Sequence, residues 1–269
     1  MPEQPSLTDD IDTTKPHSSR VYDYLLGGKD WYLADQEAAN ALITTFPSVR
    51  TSARANRDFM HRTTRFLASE ARIRQFLDIG TGIPTAPNLH QMAQFVDPAA
   101  RIVYADNDPI VLRHAQALLR STPQGRTAYV HGDLRDPAGI LHSPAVLDTL
   151  DLTEPVALSL NAILHFLLDE DRPYEIVKTL MAALAPGSYL VISHGGMDID
   201  RDTWEKIQAT YASRGIYNQP RPFDEVIKFF DGLELIEPGL QVLHRWRPDT
   251  EPTVPDAAVR FYGGVARKP

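Results

Sequence analysis

Three acids stand where three successive apolar stretches run out. Asp78 follows Gln75-Phe76-Leu77 and precedes Ile79-Gly80-Thr81-Gly82; Asp106 closes Arg101-Ile102-Val103-Tyr104-Ala105; Asp133 follows Tyr129-Val130-His131-Gly132. Gly80 and Gly82 admit backbone angles that a Cβ forbids, so the chain can turn sharply there and lie directly against a ligand. Carboxylates at such positions accept hydrogen bonds from hydroxyl or amino groups. Each acid alone can equally serve a turn or cap a helix. The set, at three strand ends, is the stronger signal.

Two histidines and an amide complete the candidates. Asn161 and His165 follow the apolar run from Val156 to Leu160, and His194 closes Ser188-Tyr189-Leu190-Val191-Ile192-Ser193. An imidazole titrates near neutrality and can act as a general base, or it can be a satisfied structural residue. Asn161 can position a ligand or make an ordinary strand-end turn. The absence of cysteine excludes disulfides, thiolate metal sites and cysteine nucleophiles. The nine histidines show neither H-x-H nor H-E-x-x-H spacing, so no metal is expected.

The strands carrying these groups alternate with helices, the pattern of a parallel sheet with crossover connections. Strands are expected at about 75–79, 101–106, 127–131, 156–160 and 188–194. Helices are expected at about 86–96, 109–120, 137–142 and 172–184. Beyond these, residues 198–216 and 224–230 read as helical. Stretches 233–236, 241–246 and 259–265 read as strands, with an antiparallel pair.

Ahead of the sheet, residues 1–18 are polar, proline-rich and aperiodic, and a disordered tail is expected. Residues 19–72 form a helical cover, with Tyr22 or Tyr24 able to present a polar tip on an apolar body. The main domain is 73–269, and 198–230 is a helical insertion on its acceptor side.

A hydrophobic content of 43% and a charged content of 23% are ordinary for a soluble domain. The net charge of −8, from 27 basic and 35 acidic residues, argues against nucleic acid as a partner. The polar start lacks a signal peptide's basic and apolar pattern, and the longest apolar region, Val156 to Leu168, is too short to span a bilayer. A cytoplasmic protein without a membrane partner is expected, either monomer or homodimer.

Two ligands compete for the glycine turn. A dinucleotide fingerprint, G-x-G-x-x-G, requires a third glycine for pyrophosphate and close helix packing, and Thr85 stands in its place. S-adenosylmethionine has a nucleoside and an amino acid but no phosphate. Asp106 would meet its ribose, Asp133 its adenine amino group, and Asp78 its amine directly or through water.

On these residues the chain resembles class I S-adenosylmethionine-dependent methyltransferases. More narrowly, it is similar to an actinobacterial family once catalogued as a domain of unknown function and now called an S-adenosyl methyltransferase family. The resemblance is carried by Val21 through Asp30, Ala55-Asn56-Arg57, Gln75 through Thr85, Tyr104 through Pro109, Asp133 through Pro137, Ala185 through Leu190, Phe230 through Leu233 and Arg245 through Pro248. It implies a Rossmann-like α/β fold with a seven-stranded, mostly parallel sheet of order 3-2-1-4-5-7-6, strand seven antiparallel. It also implies cofactor contacts at Gly80, Gly82, Asp106 and Asp133. With Asp78, Asn107, Leu134, Asn161, Tyr22 and Arg57 these make the expected cofactor set.

Methyl transfer from a sulfonium is an in-line displacement, so alignment and exclusion of water matter most, and a base is needed only where the acceptor loses a proton. His165 and His194 are the candidates for that base. Covalent cytosine methylation lacks its cysteine. The Asp/Asn-Pro-Pro-aromatic motif for amino methylation is replaced by Ser159-Leu160-Asn161-Ala162. The expected activity is methyl transfer to O or N of a small molecule. The alternatives are a non-catalytic binder of S-adenosylmethionine and an NAD(P)-dependent oxidoreductase.

Overall fold

The computed structural model describes residues 12–111, 113 and 120–269. Its sheet is built from uninterrupted apolar runs, the pattern required of parallel strands covered on both faces. β1 (Gln75–Ile79) is buried at every position. It pairs in parallel with β2 (Arg101–Asp106) on one side and, across a reversal of strand order, with β4 (Ala157–Asn161) on the other. β3 (Arg126–His131) extends the sheet beyond β2, and β5 (Tyr189–Gly195) beyond β4, both in parallel.

Two short strands, β6 (Glu234–Leu235) and β7 (Gln241–Val242), pair antiparallel with β8 (Phe261–Arg267), which itself runs antiparallel to β5. The order β3-β2-β1-β4-β5-β8-β6, with β7 beside β8, is the Rossmann-like arrangement expected, enlarged by one two-residue strand. Such sheets open a crevice at the carboxyl ends of their strands where the order reverses. Here that point lies between β1 and β4.

Some boundaries differ from the sequence expectation. Of the strand expected over 241–246, only Gln241–Val242 pairs; Leu243–Arg245 forms a 3-10 turn. That turn buries Trp246 against the rings of Phe59 and Phe66, 5.6 and 5.9 Å away. Val259 ends a short helix, Asp256–Val259, instead of opening the last strand. The helix after β1 starts at Leu89, not near residue 86, because the backbone N–H of Asn88 donates to Gln91 Oε1 at 2.7 Å and caps it there. The helix expected over 109–120 and the tail expected over 1–18 lie partly outside the described residues.

Over the sheet sit α1 (Ser18–Leu26), α2 (Leu33–Thr45) and α3 (Val49–Ser69). His17 and Ser18, at the end of the expected tail, belong to the first helix and its cap. His17 caps α1, accepting from the Ser19 N–H at 3.3 Å, and its own N–H donates to Asp35 Oδ1 at 2.8 Å. Arg20, on α1, lies 3.6 Å from Asp35 on α2 and 3.3 Å from Asp108 beyond β2, all three buried. A buried ion cluster of this kind adds little net stability but is costly to break from one side, so it fixes where the cover docks. Val21, Leu25, Leu42 and Phe46 then share an apolar cluster with Trp204 and Ile207 of helix Arg201–Ala212. No helix among the described residues is long and apolar enough to cross a membrane.

A run of buried hydrogen bonds joins the cover to the sheet. Tyr22 donates to the Ala53 carbonyl at 3.0 Å and accepts from Asn56 Nδ2 at 3.0 Å. Asn56 Oδ1 accepts from Ser193 Oγ at 2.6 Å, and Ser193 Oγ accepts from the Ala162 N–H at 2.8 Å. An apolar residue at position 56 would strip Ser193 of its acceptor inside the core. Asn56→Leu is expected to lower unfolding free energy by about 1–3 kcal/mol, read as a shift of the urea midpoint with unchanged slope.

Candidate active site

At the carboxyl ends of β1 to β4 a cavity opens beneath the cover, and the glycine turn forms part of its wall. Gly80 has φ of 77°, and a Cβ there would fall 2.6 Å from the side chain of Ile163. Gly82 has φ of 66° and open space around it. The turn is pinned by the Gly80 N–H on the Ala105 carbonyl at 2.8 Å and by the Gly82 N–H on Asp106 Oδ2 at 2.7 Å. Both glycines are therefore required by backbone angle, and Gly80 by space as well.

The expected cofactor residues meet around this turn. Asp78, Asp106 and Asp133 all line the cavity, as do Asn107, Leu134, Asn161, Tyr22 and Arg57. Burial pushes the Asp78 carboxyl up to about 7, against the opposing influence of Arg57 and a 3.3 Å hydrogen bond from Thr81 Oγ1. Burial also raises Asp106, which is held partly in check by the N–H groups of Asp108 and Gly82. Asp133 is more open and takes Arg135 at 3.3 Å and the Asn107 amide at 3.4 Å. The Arg57 guanidinium holds the carbonyls of Thr85 and Pro87, fixing the segment after the turn.

The two histidines part company. His165, on the 3-10 turn Leu164–Phe166, lines the cavity, and its Nδ1 is buried without a partner. Burial, with His194 and Arg221 nearby, holds it neutral far below the ordinary imidazole range. His194 is fully buried and is not among the lining residues. Successive strand residues face opposite sides: Ser193 turns to Asn56, while His194 turns to Arg221 at 3.3 Å and Phe229 at 5.7 Å. Burial pushes its pKa down to about 3. Two imidazoles thus line the cavity: His165 beyond β4, and His17 from the cap of α1 on the opposite, acidic side.

Other lining residues escaped the sequence reading. Trp204, Ile207 and Tyr211 form one stripe on helix Arg201–Ala212, a spacing of three and four that was visible in the sequence as a helical face. Asn218 and Phe261 join them with no local signal to announce it. Both amide atoms of Asn161 and of Asn218, and Trp204 Nε1, are buried without partners. An orphaned amide at Asn161 and a carboxyl at Asp78 lacking a tightly paired cation suit a ligand bearing hydroxyl groups and an ammonium. Among the described residues, no three His, Asp or Glu side chains are grouped to hold a metal ion.

A sequence model of the family described as S-adenosyl methyltransferase matches residues 4–269. A crystal structure of a DUF574 family protein from Streptomyces avermitilis is 52% identical, covers 96% of this chain and 99% of its own, and superposes with a TM-score of 0.94. A candidate methyltransferase from Thermobifida fusca is 37% identical, with 98% and 97% coverage and a TM-score of 0.89. An O-methyltransferase family protein from Burkholderia thailandensis, 14% identical over 91% of this chain and 63% of its own, shares the fold at a TM-score of 0.52. Among curated proteins no match was found.

Asp78 has a consequence for stability. Below the ordinary carboxyl value of 3.8 it is protonated whether the chain is folded or not; up to about 7 only the folded chain keeps the proton. The stability it contributes is therefore lost as pH rises through that window. Urea midpoints of the free protein are expected to decline from about pH 4 to 7, and Asp78→Asn to flatten that decline.

Proposed function

The chain belongs to the S-adenosyl methyltransferase family, whose cofactor is S-adenosylmethionine, and on that footing we propose that it methylates an oxygen or nitrogen atom of a small molecule. The observation that carries this reading is convergence. A glycine turn, three strand-end carboxyls and the unpartnered Asn161 amide all line one cavity at the point where strand order reverses.

Each group has a task matched to its chemistry. Asp106 gives one lone pair on each oxygen to backbone N–H groups, leaving the others for the vicinal hydroxyls of a ribose. Asp133, outermost and most hydrated, accepts from an exocyclic amine. Asp78 is the buried acid that an α-ammonium would return to its ionised state. Asn161 supplies both a donor and an acceptor beside it. Bound in this cradle, the cofactor supplies an electrophilic methyl group.

The protein's remaining work is positional. The cover, anchored through Tyr22 and Asn56, shields the cavity from water, which favours transfer to the acceptor over loss to solvent. His165, which burial keeps neutral and whose Nδ1 has no partner in the protein, is placed to take a proton from an acceptor that must lose one. Asp106→Ala is expected to weaken S-adenosylmethionine binding by about tenfold or more in calorimetry. On an acceptor that must be deprotonated, His165→Ala is expected to cut kcat by about a hundredfold while moving cofactor affinity little.

A further inference from the structure

The two halves of the cavity differ in charge. Its formally charged lining residues, Arg57, Asp78, Asp106, Asp133 and Arg135, belong to the ends of β1 to β3 and to the α3 arginine that grips the post-β1 segment. The opposite wall is built by His165, Phe166, Trp204, Tyr211, Asn218 and Phe261. None of these carries a charge, since burial keeps His165 unprotonated. Arg221, behind His194, is bonded to Asp169 at 2.8 Å and to the Leu167 carbonyl at 3.2 Å, so it offers no free cation to this wall.

The wall is aromatic. His165 lies 4.4 Å from the Phe166 ring and 5.3 Å from Phe261; Phe261 lies 5.8 Å from Trp204, and Phe166 6.2 Å from Tyr211. Set into it are polar atoms that nothing in the protein satisfies: His165 Nδ1, Trp204 Nε1 and the whole Asn218 amide, on residues 6, 3 and 6% exposed. Buried polar groups are ordinarily hydrogen-bonded, so unpartnered ones on a cavity wall mark where a ligand's polar atoms go. They are neutral donors and acceptors. They can meet a hydroxyl or carbonyl, whereas a carboxylate placed among them would be desolvated without a counter-charge, and an ammonium would have only the ring faces to set against its lost hydration.

We infer that the acceptor is an uncharged, ring-bearing molecule methylated on a weakly acidic hydroxyl of the phenol type, an inference that rests on the methyltransferase reading above. A primary amine, protonated at neutral pH, finds no carboxylate on this wall. No hydrogen-bonded carboxylate backs His165 to strengthen it as a base. A base so weakened by burial takes a phenolic proton, with pKa of about 10 as in tyrosine, sooner than the far less acidic proton of an alkanol. In the transfer the oxygen–carbon bond forms as the carbon–sulfur bond breaks, its electron pair remaining on sulfur. The hydroxyl proton passes to His165 as the sulfonium loses its charge, so the cavity as a whole gains no net charge.

The test is made by calorimetry on the full chain, first with S-adenosylhomocysteine alone. The saturated complex is then titrated with 2-naphthol, 2-naphthoate and 2-naphthylmethylammonium, three probes of one ring size and different charge. Naphthol is expected to bind at least about tenfold tighter than either ion. Asn218→Ala and Trp204→Phe, checked for native urea midpoints, are each expected to weaken naphthol about threefold more than S-adenosylhomocysteine. Equal or tighter binding of either ion, no binding of any probe to the complex, or naphthol affinity untouched by both substitutions overturns the inference. Failure of S-adenosylhomocysteine itself to bind would instead sink the methyltransferase reading, and this inference with it.

Discussion

The buried amide of Asn56 is the constraint on which the rest of the structure depends. It donates to Tyr22 of the cover and accepts from Ser193 of β5, whose hydroxyl in turn holds the Ala162 N–H. An amide buried without partners costs about 1–3 kcal/mol, so α1, α3, β5 and the turn after β4 are held to one relative placement. The last link matters most for the cavity. Ala162 sits at φ of 52°, an uncommon angle for a residue with a Cβ, and its hydrogen bonds to Ser193 hold that turn. The turn sends Asn161 to the cavity wall, lays Ile163 against Gly80, and starts the short helix that presents His165.

Charge is distributed in the cavity by the same logic that distributes strands. The carboxyls stand at the ends of β1, β2 and β3, on one side of the point where strand order reverses. On the other side, β4 and β5 end in neutral groups, and the wall continues into apolar helix residues. Burial raises Asp78 and Asp106 and depresses His165, so both sides of the cavity are pushed toward neutrality. A cation bound on the acidic side restores one of those charges. The aromatic side has no such exchange to offer.

Much of this was legible in the residues. The glycine pair, the acids at strand ends and the parallel strands each follow from local chemistry that tertiary structure does not override: a positive φ, a strand terminus, an uninterrupted apolar run. His194 shows where that reasoning stops, because facing is decided by strand parity, and Ser193 already takes the side that meets Asn56. Trp246 shows it again: burial against Phe59 and Phe66 ended a strand that its composition favours. Asn218 had no signal at all. It reaches the cavity through a loop whose next residue donates its N–H to the His165 carbonyl at 2.6 Å, a contact between segments far apart in the chain.

Trp204 and Ile207 face the aromatic wall and also belong to the apolar cluster that holds α1 and α2 in place. Well-packed clusters tolerate volume-conserving swaps and resist most others. Altering the helix stripe loosens the roof, whereas Asn218, which lies outside that cluster, can change without disturbing it. The shape of this side of the cavity can accordingly be altered at residue 218 without loosening the roof, which the helix stripe does not allow.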